Sequence, residues 1–168
     1  GEVQDVLEKA GYTGEVPADV QASVLPPELL AQWQRKRAER ELRDNQEQLR
    51  VAREIQQRLF PKSAPACPGF DLGGASYPAE ATSGDYYDYL PMLQGRLGIV
   101  VGDVTGHGVG PALLMAETRA YLRVLAGRRE DVGEILTRAN SILAEDVGSE
   151  RYITLFLGRL DPATRTLT

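Results

Sequence analysis

The chain has 168 residues and a mass of 18.4 kDa, with 42% hydrophobic and 26% charged side chains. That is one ordinary domain, or a smaller one with an appendage, and it excludes wholesale disorder, a collagen-like repeat and a membrane class. The net charge of −5 disfavours a generic nucleic-acid binder, and a single cysteine (Cys67) and a single histidine (His107) exclude an internal disulfide, a cysteine zinc cage and any multi-histidine metal site.

No apolar run approaches the ~18 residues that a membrane-spanning helix needs, and the N-terminal residues lack an apolar signal core. With its lone thiol, the chain is therefore expected to be cytoplasmic, with no membrane segment and no nucleic-acid partner. Charge is unevenly spread: residues 1–33 carry −5, residues 34–58 carry +3 and residues 59–168 carry −3.

Residues 1–28 hold Gly11, Gly14, Pro17, Pro26 and Pro27 and form an irregular N-terminal segment, with room for a short helix near 3–10. Residues 29–60 form a helical linker, rich in Gln, Arg, Glu, Leu and Ala and ended by Pro61. Ala38, Leu42, Asn45, Leu49, Ala52, Gln56 and Leu59 recur at spacings of four and three. This is the seam of a two-chain coiled coil with Asn45 setting register, or the stripe by which a single helix packs on its own domain.

Residues 61–168 form the globular part. Phe70–Tyr77 reads as a strand broken by two glycines, Tyr86–Met92 as an aromatic strand, and Gln94-Gly95 as a turn. Arg96–Val104 is a nearly continuous apolar run, hence a buried strand. A glycine-rich loop follows, then a helix from about Pro111 to Ala126 and a second from Val132 to about Asp146, capped by Asp131. Tyr152–Leu160 is another strand, followed by a turn and the start of one more at Leu167-Thr168. Short connections between the early strands predict an antiparallel sheet covered by a helix pair.

Two segments could carry chemistry. Ser83-Gly84-Asp85-Tyr86-Tyr87-Asp88 places two carboxylates three apart at a strand start, where they point to opposite faces, so only one of them serves a given site. A solvated turn is the alternative. Gly102-Asp103-Val104-Thr105-Gly106-His107-Gly108 ends an apolar strand with an acid and a glycine-rich loop before a helix. A helix cap and a phosphate cradle are alternatives there, and His107 alone is more often a structural hydrogen-bonding residue than a ligand. Antiparallel pairing would bring Asp85 and Asp103 together as oxygen ligands for a hard cation such as magnesium or manganese.

The stretch from Ala52 to Thr166 resembles the N-terminal half of the metal-dependent PPM-type (protein phosphatase 2C-like) phosphatases, in the SpoIIE/RsbU-like bacterial branch. The resemblance runs through Ala52-Arg53-Glu54-Ile55-Gln56-Gln57-Arg58-Leu59-Phe60-Pro61, Tyr77-Pro78-Ala79 and the two acidic segments. It continues through Ala112-Leu113-Leu114-Met115 and Asn140 to Thr154-Leu155-Phe156. It implies an α+β fold, a partial α-β-β-α sandwich of antiparallel sheet and helix pair preceded by a long linker helix. It implies Asp85, Asp103 and the backbone carbonyl of Val104 as ligands of two Mn2+ or Mg2+ ions, with Gly84, Asp88 and His107 behind them. A metal-activated water would hydrolyse phosphoserine or phosphothreonine on a signalling protein such as an anti-sigma-factor antagonist. A preceding helical linker often regulates such enzymes, and here it would pair two copies along Leu42, Asn45, Leu49, Ala52 and Leu59.

The sequence departs from the family at Ser83, where a glycine is usual, and it holds no counterpart of the family's C-terminal metal-binding aspartate. The chain is thus expected to be an incomplete fragment, inactive by itself. A dimerising signal-transmission module and an inert partner-binding pseudophosphatase are the competing readings.

Overall fold

The computed structural model describes residues 27–77, 82–129, 131–146 and 151–168. The expectations for residues 1–26 lie outside the described residues. The chain divides into two units, Gly1–Gln48 and Leu49–Thr168.

Helix α1 runs Pro27–Gln57, opening on a proline with Glu28 in its first turn, as an exposed helix start prefers. Every residue from Arg37 to Gln48 is exposed, and an i,i+4 ion pair, Arg37–Glu41, laces its surface. Within Leu49–Thr168, the helix end is closed by the Arg58 and Leu59 amides, which donate to the Ile55 and Gln56 carbonyls. Leu59 lies beyond the helix and packs on the core of its own domain, so the proposed seam does not reach it as a helical position.

Strand β1 spans Tyr86–Pro91, β2 Leu97–Val104, β3 Ile153–Asp161 and β4 Thr166–Leu167. They form one antiparallel sheet in the order β1-β2-β3-β4. The β1–β2 connection turns through Gln94 and Gly95, both at positive φ, which an Asn/Gly-like tight turn demands. Helices α2 (Val109–Ala126) and α3 (Val132–Asp146) cover one face. Asp131 caps α3, its carboxylate accepting from the Glu134 amide at 2.7 Å.

The architecture is therefore α+β, a sheet carrying a helix pair and preceded by a long helix. Two-residue alternation sorts the strands: Leu90, Val100, Val104 and Leu157 face the helices and bury with Met115, Leu122 and Ile135. Each such fully buried aliphatic side chain stabilises the fold by about 1.5–3 kcal/mol. The other face is partly covered by Ala64, Cys67, Phe70 and Leu72 against Tyr89, Leu97 and Leu160. Beyond that cover, Val101 (56% exposed) and Phe156 (52%) stand opposite one another as a cross-strand apolar pair.

The strand expected over Phe70–Tyr77 is not formed; only an isolated bridge joins Cys67 and Phe70. The reason is local. The Tyr87 ring lies 2.6 Å from where a Cβ of Gly74 would be, and its hydroxyl donates to the Gly74 carbonyl at 3.1 Å. Side-chain contacts, not a ladder, hold this segment. No helix among the described residues is long and apolar enough to cross a membrane.

Candidate functional site

The register of β1 and β2 assembles the site. Tyr86 pairs with Gly102, so one step further out Asp85 stands opposite Asp103, and Gly84 opposite Val104. The Val104 amide donates to the Gly84 carbonyl at 3.3 Å, which extends the pairing to that step. Asp103 in turn pairs with Thr154 on β3, whose hydroxyl donates to the Asp103 carbonyl at 3.3 Å. Asp85 and Asp103 are both exposed, on the face away from the helices.

Gly84 is required by space. A Cβ there would lie 2.4 Å from the Val104 carbonyl oxygen, so any side chain would displace that oxygen or close it off. Beyond Val104, the loop passes Gly106 and Gly108, both at positive φ, on either side of the exposed His107. Thr105 fastens the loop to β3: its amide donates to the Tyr152 carbonyl at 3.0 Å, and its hydroxyl accepts from the Tyr152 amide at 3.1 Å.

Ser83 stands without left-handed strain. Its hydroxyl accepts from the Asp85 amide and donates to Asp85 Oδ2, both at 3.0 Å. Its backbone is gripped by Gln56 near the end of α1, whose Nε2 donates to the Ser83 carbonyl at 2.6 Å and whose Oε1 accepts from the Ser83 amide at 3.1 Å. Gln56 is buried (6% exposed). The sequence places this residue on the linker stripe, and nothing in its spacing marks it as a clamp.

Asp88 takes a different part. It is fully buried on the helix face, where its carboxylate accepts from Arg123 Nε and Nη2 at 2.7 and 2.6 Å, from the Tyr86 hydroxyl at 2.9 Å and from the Tyr89 amide at 2.8 Å. Arg119 Nε lies 3.6 Å away. Burial and the adjacent Asp88 carboxylate push the Tyr86 phenol well above its ordinary value, and the Asp88 hydrogen bond raises the Arg123 guanidinium further. Asp88 thus ties β1 to α2 and does not share the Asp85–Asp103 surface. Nothing in the spacing of Arg119 and Arg123, one helical turn apart, marks them for this role: a strand acid facing the core needs a cation, and these two supply it.

The donor chemistry fits part of a hard-cation site: two exposed carboxylates and the neighbouring Val104 carbonyl, all oxygen, gathered at one sheet end. Among the described residues, no group of three or more His, Cys, Asp or Glu side chains could hold a metal. The carboxylate pair therefore supplies only some of the six or more oxygens that such an ion takes.

Comparison with known proteins finds likenesses over part of the chain. Residues 94–168 match the family model of Stage II sporulation protein E (SpoIIE). Over 109 residues the chain is 28% identical to the phosphoserine phosphatase RsbU of Bacillus subtilis, covering 65% of this chain and 32% of that protein. Over 83 residues it is 39% identical to protein IcfG of Synechocystis sp., covering 49% of this chain and 13% of that protein. The matches thus span about a third or less of these curated relatives. A crystal structure of the RsbU and RsbW domains of Rv1364c from Mycobacterium tuberculosis is 35% identical, over 51% of this chain and 24% of that one, with a TM-score of 0.45. The likeness is to the SpoIIE/RsbU-like branch of the PPM phosphatases, over part of the chain.

Proposed function

We propose that this chain carries the N-terminal part of a PPM-type serine/threonine phosphatase domain, acting on a phosphorylated signalling protein such as an anti-sigma-factor antagonist in the cytoplasm. The observation that carries this reading is the cross-strand placement of Asp85 opposite Asp103 beside the carbonyl of Val104, the latter two residues lying within the SpoIIE-like stretch 94–168. Asp85, Asp103 and that carbonyl would hold Mn2+ or Mg2+. When bound, such ions supply a water activated at neutral pH and charge neutralisation on the phosphoryl group. The chain's own contribution is positional: Gly84 keeps a side chain from clashing with the Val104 carbonyl, Thr105 and Thr154 fix the ends of β2 and β3, and Ser83 fixes Asp85.

The test is a Mn2+ titration of the 168-residue chain, with phosphate release from a phosphoserine peptide measured alongside. The reading expects Mn2+ binding that disappears in Asp103→Ala, with release near background because the carboxylate set is partial. Mn2+ binding indifferent to Asp103→Ala would overturn it. Release that vanishes in Asp103→Ala would mean that the remaining ligand comes from within this chain or a second copy.

A second reading, a dimerising signal-transmission module, is favoured by one observation: Leu42 lies 58% exposed on a helical stretch, Arg37 to Gln48, whose every residue is exposed. The two readings are compatible.

A further inference from the structure

Gln56 and Ser83 do more than close the fold. A glutamine carboxamide carries an N–H donor group and an oxygen acceptor side by side, and here each bonds the same residue, at the carbonyl and the amide of Ser83. The carboxamide is itself well placed. The turn after it is pinned by Leu59 in the helix-side core and by Phe60, whose ring stacks on Tyr87 with centroids 5.7 Å apart. Two residues beyond the clamp, the Ser83 hydroxyl takes Asp85 Oδ2. No hydrogen bond to Oδ1 occurs among the described residues, so this oxygen is left for a ligand.

We propose that Gln56 is a positioning residue for Asp85, acting through Ser83: the carboxamide fixes the Ser83 peptide, and the Ser83 hydroxyl fixes one carboxylate oxygen so that the other is presented to a divalent cation. The proposal rests on the metal reading above. It also gives Ser83 a task that a glycine could not perform, since only a hydroxyl can reach Oδ2. Partners that orient a metal ligand from behind matter to affinity by about ten- to a hundredfold.

The test is an NMR-monitored Mn2+ titration of the 168-residue chain, reading paramagnetic broadening at the Asp85 and Asp103 amides. Thermal midpoint and amide exchange at Ser83 are measured on the same samples. Gln56→Met preserves length and apolar packing but removes both hydrogen bonds. It should raise the half-broadening concentration about tenfold or more and speed exchange at Ser83. Ser83→Gly should weaken Mn2+ binding similarly, while Ser83→Thr, which keeps the hydroxyl, should restore it. In an Asp85→Asn background, Gln56→Met should change Mn2+ binding no further, because the relay has lost its end. A lowered thermal midpoint with an unchanged titration would reduce Gln56 to a packing residue and overturn the proposal, as would unchanged exchange at Ser83. Broadening absent from Asp85, or indifferent to Asp103→Asn, would overturn the metal reading and the positioning role with it. Faster Ser83 exchange in Gln56→Met would then show the clamp alone to be real.

Discussion

At the scale of residues, three aspartates within nineteen positions meet two different environments. Asp88 is sealed under α2 with a bidentate arginine and a tyrosine hydroxyl, whereas Asp85 and Asp103 stand in solvent at a strand end. Removing a carboxylate from a buried pair strands its partner, and the cost is several kcal/mol. Asp88→Ala should therefore destabilise the protein by about 3 kcal/mol, moderated by the partial exposure of Arg123. Asp103→Asn should shift stability by no more than about 0.5 kcal/mol. Thermal or urea denaturation of the two variants checks this, and equal losses would contradict the division of labour. The rule that residues three apart on a strand face opposite ways separates Asp85 from Asp88 without coordinates. It does not say which of them is buried; that follows from where Arg119 and Arg123 pass over β1.

Elements introduce a second kind of information. Helix α1 was legible from composition and from the absence of glycine and proline over residues 28–59, and its observed bounds, Pro27–Gln57, lie two and three residues before the expected 29–60. The apolar runs of β2 and β3 and the cap at Asp131 were legible for similar reasons. Phe70–Tyr77 was not, because its alternating apolar residues meet the Tyr87 and Tyr89 rings instead of a neighbouring strand. The stripe on α1 likewise has two uses, and spacing cannot separate them. Gln56 turns inward to Ser83, while Leu42 and Asn45 remain exposed. If those exposed positions join two copies, Asn45→Leu replaces a polar pair by an apolar one worth about 1.5 kcal/mol or more. Half-association should then fall to roughly a tenfold lower concentration. Sedimentation equilibrium decides this, and a monomer unchanged by Asn45→Leu at every concentration would leave α1 a lone solvated helix.

For the whole molecule, the sheet has two ends with different tasks. At the end away from Asp85 and Asp103, Arg96 on the β1–β2 connection reaches Asp161 at the close of β3, with Nε 3.0 Å from Oδ2. That bond, together with the Thr164 and Ala163 amides, holds the Asp161 carboxyl below its ordinary value of 3.8. A depressed carboxyl lends stability that is complete above the unfolded value and is lost as pH falls through the folded one. Asp161→Asn should therefore lower the thermal midpoint at neutral pH, and the gap from the parent should close as the pH drops well below 3.8. A gap that stays constant down to that acidity would remove Asp161 from the acid limb. Mn2+ binding at the opposite end should be unaffected, since the two sites share no residue.

The sequence by itself determined the helices and the strands of the sheet, though not the state of Phe70–Tyr77, because periodicity, caps and breakers act over a few residues. It also determined that the chemistry available is oxygen chemistry, because one cysteine and one histidine leave few other ligands. Tertiary structure decided what those segments do for one another. The β1–β2 register set Asp85 against Asp103 and made Gly84 a matter of space. The fold sent Asp88 to a pair of arginines and brought Gln56 across 27 positions to hold Ser83. Such pairings depend on long-range closure of the chain, and no local pattern of residues encodes a distance between parts that far apart.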